Sequence, residues 1–197
     1  MTADMREYWN AFAPRFDEEP DHGLRDPLVR RAWQDLLLDA LPPSPADVLD
    51  LGCGTGSLSV LLAEAGYRVS GVDLAEQMVE AARAKASAAG VDVRFDQGDA
   101  ARPPHQPHSF DVVLTRHVLW ALPDPATALA RWVELLRPGG RLVLVEGRWE
   151  TGGGITAEEC ETLLRTQCQS VHVQRLDDPV FWGREISDER YLALGRP

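Results

Sequence analysis

No run of eighteen or more uncharged apolar residues occurs in the 197 residues, so a membrane-spanning helix is excluded. Residues 1–16 lack the apolar stretch of a secretory leader and carry Asp4, Arg6, Glu7 and Arg15 instead; a cytoplasmic location is expected. Lysine is nearly missing. Lys85 stands alone beside nineteen arginines, which leaves no lysine elsewhere for catalysis. The three cysteines, Cys53, Cys160 and Cys168, are odd in number and show neither CxxC nor Cys/His spacing, so no disulfide framework and no metal are expected. Twenty Lys+Arg against 31 Asp+Glu give a formal charge of −11, which repels phosphate backbones and argues against nucleic acid as a partner. A small molecule is the expected partner, and a monomer or homodimer the expected state.

What is present is 44 % apolar residues, enough to bury a core in a chain of single-domain length. Tyr8, Trp9, Phe12 and Phe16 recur at helical spacing, and a second apolar stripe runs through Leu28, Ala32, Trp33, Leu36, Leu37, Ala40 and Leu41 until Pro42, Pro43 and Pro45 stop it. Residues 1–45 therefore read as a helical extension before a domain spanning 46–197. From Asp47 strand and helix alternate, the pattern of a parallel sheet covered on both faces. Strands are expected at 48–51, 68–72, 91–95, 110–115, 141–145, 170–176 and 190–194, with helices at 57–65, 75–89 and 125–136 and a capping box at Thr156 and Glu159.

The block Val48-Leu49-Asp50-Leu51-Gly52-Cys53-Gly54-Thr55-Gly56 runs a buried strand into a loop whose glycines let backbone approach a ligand. Its Gly-x-Gly-x-Gly spacing differs from the Gly-x-Gly-x-x-Gly that sets a helix N-terminus against a pyrophosphate. Asp50 ahead of the loop suits a ligand with an ammonium group. Asp73 ends the second strand, where a carboxylate accepts hydrogen bonds from both hydroxyls of a ribose. Gly98-Asp99-Ala100 follows the third strand and can face the edge of an adenine.

With these residues in hand, the sequence resembles the class I S-adenosylmethionine-dependent methyltransferases, in particular the small-molecule group with the methyltransferase type 11 domain. The resemblance runs from about Val48 to Val145 through VLDLGCGTG, GVDLAEQM, GDA, SFDVVLTRHVLWALPDP and LRPGGRLVLVE. It implies a Rossmann-like, seven-stranded, mostly parallel sheet with helices on both faces and the last strand antiparallel. It implies S-adenosylmethionine as methyl donor and S-adenosylhomocysteine as product. Gly52, Cys53, Gly54 and Gly56 would line the methionine and ribose portion, with Asp50 near the ammonium and Asp73 on the ribose. Leu74 and Met78 would pack on the adenine, Asp99 and the Ala100 backbone would read its edge, and Thr115 and Arg116 would border the methionine moiety.

The resemblance also makes His117 the first candidate for a general base, with His22 second, in case the acceptor is a hydroxyl. Tyr8, Trp9, Phe12, Trp120, Trp149 and Trp182 are candidates for the acceptor pocket, as aromatics at places that can converge on its mouth. The chain lacks the Asn/Asp-Pro-Pro-aromatic run of base amino-methyltransferases, and with Lys85 alone, on a helix expected to face solvent, it lacks the lysine pair of ribose methyltransferases. Two other readings stand beside methyl transfer: a domain that binds the donor without turnover, and a nicotinamide-dependent oxidoreductase. The loop spacing and Asp50 oppose the second.

Overall fold

The first strand, β1 (Asp47–Leu51), buries Val48, Leu49 and Leu51 and has a parallel neighbour on each edge, so both of its faces need cover. The computed structural model describes residues 3–197. Around β1 lie β2 (Arg68–Asp73), β3 (Arg94–Gln97), β4 (Phe110–Arg116), β5 (Leu136–Arg148), β6 (Ser170–Arg175) and β7 (Glu189–Arg196), in the order β3-β2-β1-β4-β5-β7-β6. β7 is antiparallel to both of its neighbours and the other pairings are parallel. This is the Rossmann-like arrangement expected.

Two strand boundaries differ from the sequence reading. After helix α5 (Glu76–Ala89), Gly90 turns left-handed at φ 68° and the Val91 N–H still bonds the Ala86 carbonyl, so the chain pairs with β2 only from Arg94. β5 starts early because Leu136 already pairs with Phe110, before the turn at Arg137–Gly140 interrupts the ladder.

Alternate residues of each strand feed two cores. On one face Leu49, Val113 and Leu144 pack with Trp132 and Leu129 of α6 (Pro125–Leu135) and Leu164 of α7 (Ala157–Arg165). On the other, Val48, Leu114 and Val143 pack with Leu61 of α4 (Ser57–Glu64) and with Trp33 and Leu37 of α3 (Pro27–Ala40). The N-terminal stretch is three helices rather than two: Pro20 opens a single turn, α2 (Pro20–Gly23), between α1 (Ala3–Phe16) and α3. Asp26 caps α3 by accepting from the Leu28 and Val29 N–H groups.

Trp33 fastens α3 to the far end of the chain. Its ring is fully buried, its Nε1–H donates to the Phe181 carbonyl at 2.8 Å, and it meets Trp182 edge-on at 5.5 Å. Trp33→Ala is expected to cost about 3–5 kcal/mol, the usual range for emptying a buried tryptophan site. Urea unfolding measures it, and a loss below about 1 kcal/mol would show that the site refills by collapse.

Candidate functional site

β1, β2 and β4 end together at the carboxyl edge, where the chain order reverses between β1 and β4 and open α/β sheets hold their ligands. The loop after β1 is shaped by β2: the Gly52 and Cys53 N–H groups both bond the Val72 carbonyl, at 2.7 and 3.1 Å. Gly52 and Gly54 hold φ of 70° and 54°, and an added Cβ would sit 2.3 Å from the Val118 side chain or 3.0 Å from the Phe16 ring. Only glycine meets both demands.

Asp73 closes the loop from the side. One carboxylate oxygen accepts from the Gly54 N–H and the other from the Ala75 N–H, both at 2.9 Å, so each keeps lone-pair capacity for a ligand. Asp50 accepts from the Ser59 hydroxyl at 2.6 Å, and burial pushes its carboxyl up to about 6. Burial also pushes the Cys53 thiol well above its usual range, which keeps it out of nucleophilic chemistry.

These groups open on a cavity of about 400 Å³. Of the residues singled out in the sequence, Asp50, Gly52, Cys53, Gly54, Asp73, Leu74, Met78, Ala100, Arg116, His117, Trp9, Trp120 and Trp149 line it. Gly56, Asp99 and Thr115 stand behind the wall: Gly56 starts α4 against Ala82, and Asp99 accepts from the Ala101 N–H at 2.9 Å. Tyr8, Phe12 and Trp182 are outside the lining too. Tyr8 is 60 % exposed, since α1 turns Trp9 and Phe16 inward and Ala13 onto Met78. Trp182 is core, with its Nε1–H donating to the Leu176 carbonyl and the Arg190 guanidinium 4.5 Å above its ring.

Lys85 departs further from expectation. It is half-buried, pairs with Asp17 at 2.8 Å and donates to the Thr55 and Ser57 hydroxyls, so it joins the end of α1 to the glycine loop. Burial is what turns it inward: α5 packs against α1, and the ammonium has acids and hydroxyls within reach there.

Arg116 is half-buried, donates to the Asp21 carbonyl and lies 5.4 Å over the Trp33 ring. His117 follows with a left-handed φ of 60°, held by its N–H on the Val145 carbonyl at 2.8 Å. Its ring lies against Trp149 and Trp182, and burial drives its pKa far below the ordinary value, which keeps it neutral and makes it a poor proton acceptor. The sequence reading named His22 only second and passed over Asp21, Arg184 and Arg190, which also line the cavity. The signal available was a polar Asp-His pair between Pro20 and Gly23.

Residues 49–144 match the family described as a methyltransferase domain. Over these residues, about half of the chain, the sequence is similar to that family. A demethylmenaquinone methyltransferase of Deinococcus radiodurans is 37 % identical over 145 residues, 72 % of this chain and 59 % of the relative. A ubiquinone biosynthesis O-methyltransferase of Xanthomonas euvesicatoria is 36 % identical over 138 residues, 70 % of this chain and 54 % of the relative. The chain thus spans little more than half the length of these relatives. The crystal structure of SpnF, named a [4+2]-cyclase, superposes with a TM-score of 0.73 at 21 % identity, over 85 % of this chain and 81 % of that one, and shares the fold. No helix among the described residues is long and apolar enough to cross a membrane.

One buried acid holds the loop after β4. Glu146 accepts from the Val118 and Leu119 N–H groups at 2.9 and 2.7 Å, and burial pushes its carboxyl up to about 8. A raised pKa of this kind adds stability below the unfolded value near 4.5 and loses it as pH climbs through 8. Glu146→Gln keeps an accepting oxygen and removes the titration, so its Tm should fall less than wild type's between about pH 5 and 8.5. Parallel Tm profiles would show that Glu146 is ionised in the folded state.

Proposed function

We propose that this chain transfers the methyl group of S-adenosylmethionine to a flat, aromatic small molecule held in the same cavity. The carrying observation is Asp73, both of whose oxygens are anchored by the loop and still able to accept, at the edge of a cavity that runs on past His117 to Trp120 and Trp149. The residues suit the donor: Asp73 faces a ribose diol, Leu74, Met78 and Ala100 offer an apolar slot for adenine, and Asp50 offers a carboxylate to an ammonium. When bound, S-adenosylmethionine supplies a methyl carbon already activated by a positive sulfur, so the leaving group needs no acid.

The chain's own work is positioning and exclusion of water. Trp9 and Phe16 close the cavity from α1, and Trp120 and Trp149 wall it from the opposite side, their ring centroids 5.2 Å apart. Aromatic faces suit both a sulfonium and a planar acceptor. The quinone-pathway relatives support an acceptor of that shape. The other reading is donor binding without methyl transfer, which a panel of phenols and quinols assayed for methylated product separates from the first.

S-adenosylhomocysteine at about 100 times its Kd should add about 2.7 kcal/mol to the native state, while NADH adds nothing; stabilisation by NADH alone would overturn the assignment. Asp73→Ala should weaken that binding by about 1–3 kcal/mol in calorimetry, through the unpaired ribose hydroxyls, and unchanged affinity would place the ribose elsewhere. If α1 is a lid, amide protection over residues 5–16 rises with S-adenosylhomocysteine. Equal protection in both states makes α1 a fixed wall.

A further inference from the structure

Three side chains converge on the cavity wall at a place the donor residues do not use. Asp21 and His22 come from the single turn α2, and His117 comes from the loop after β4, so no sequence spacing announces them. One ligand-type atom from each lies within 4.8 Å of the other two. Asp21 Oδ2, His22 Nδ1 and His117 Nε2 are buried without a hydrogen-bond partner, and the other His22 nitrogen, Nε2, stands 3.5 Å from Asp21 Oδ2. Buried polar atoms are ordinarily satisfied, and an orphaned atom on each of three clustered residues points to a missing partner.

The surroundings fix the three groups in place. The His22 ring stacks on Phe16 with centroids 4.3 Å apart, and His117 is held between Trp149 and Trp182. The backbone at His117 and at Leu24, directly after α2, is left-handed at residues that are not glycine, strain of the kind that persists where a site needs a particular aim. Arg116 binds the Asp21 carbonyl and so joins the two segments.

We infer that Asp21, His22 and His117 form a binding site for a divalent transition-metal ion of the zinc class, with a further coordination position open to the cavity. Two imidazoles and one carboxylate suit Zn²⁺ or Co²⁺, whereas Ca²⁺ and Mg²⁺ take oxygen ligands almost throughout. Asp17 is paired with Lys85, Glu19 with Arg184 and Arg190 with Asp188, which leaves Asp21 and Asp50 facing Arg116 at this corner. Tetrahedral ligands at about 2.0–2.1 Å from the ion stand roughly 3.3 Å apart, so loading draws the three atoms inward.

The inference deepens the proposed function and rests on it at one point, that the open position faces the acceptor. An acceptor hydroxyl bound there would lose its proton to solvent at a lower pH than in water.

The test uses the full chain stripped with EDTA and no methyl donor. Zn²⁺ titrated by calorimetry should bind at one ion per chain, and Co²⁺ should give the intensified visible absorption of a four- or five-coordinate site. Asp21→Asn, His22→Ala and His117→Asn, the last chosen because asparagine tolerates left-handed backbone, should each weaken Zn²⁺ at least about tenfold and abolish the Co²⁺ spectrum. Urea midpoints of the variants serve as the folding control. Absence of a saturable site, or binding that all three folded variants retain, overturns the inference. If no saturable Zn²⁺ site exists while donor binding and methyl transfer occur, only the metal site falls; if the ion binds and no acceptor is methylated, the metal site stands and the functional reading falls.

Discussion

The Val72 carbonyl organises the ligand end of the sheet. It accepts from two consecutive N–H groups of the loop leaving β1, while the carboxylate of the next residue, Asp73, accepts from the third glycine-loop N–H, that of Gly54. The loop is therefore shaped by its neighbour strand before any ligand arrives, and the cost of ordering it is met in folding. Cavity, aromatic walls and histidine corner are all laid out relative to that fixed edge.

The N-terminal helices depend on the same edge, through charge and shape together. Lys85 links Asp17 to Thr55 and Ser57, and Arg116 links β4 to the Asp21 carbonyl, so the turn carrying Asp21 and His22 is tied to the glycine loop on one side and to the strand before His117 on the other. Trp33 anchors α3 in the core from which this turn projects. A small displacement of α1 is felt at Phe16, which packs both on Gly54 and on the His22 ring.

Periodicity revealed most of the sheet because its signal is local. Val48–Leu51 and Phe110–Thr115 are short apolar runs bounded by turns, and the structure makes them the central strands. The edge strand was misplaced because pairing with β2, a distant event, decides where β3 begins. The donor-side residues were legible for the same reason as the central strands: Asp50, the glycines and Asp73 lie within a few residues of strand ends. Lys85 and Trp182 were misread because charge and aromaticity say nothing of which neighbours a helix or loop will meet. Asp21 and His22 gain meaning only when β4 brings His117 beside them.

The single lysine has a practical consequence in reactivity. Every side-chain primary amine in the sequence is Lys85, and that amine is engaged by a carboxylate and two hydroxyls under the end of α1. Amine-directed dyes and acylating reagents therefore have one side-chain target, covered by the end of α1. The rate of its modification, read in a mass spectrum without a mutation, reports how closely that corner is packed.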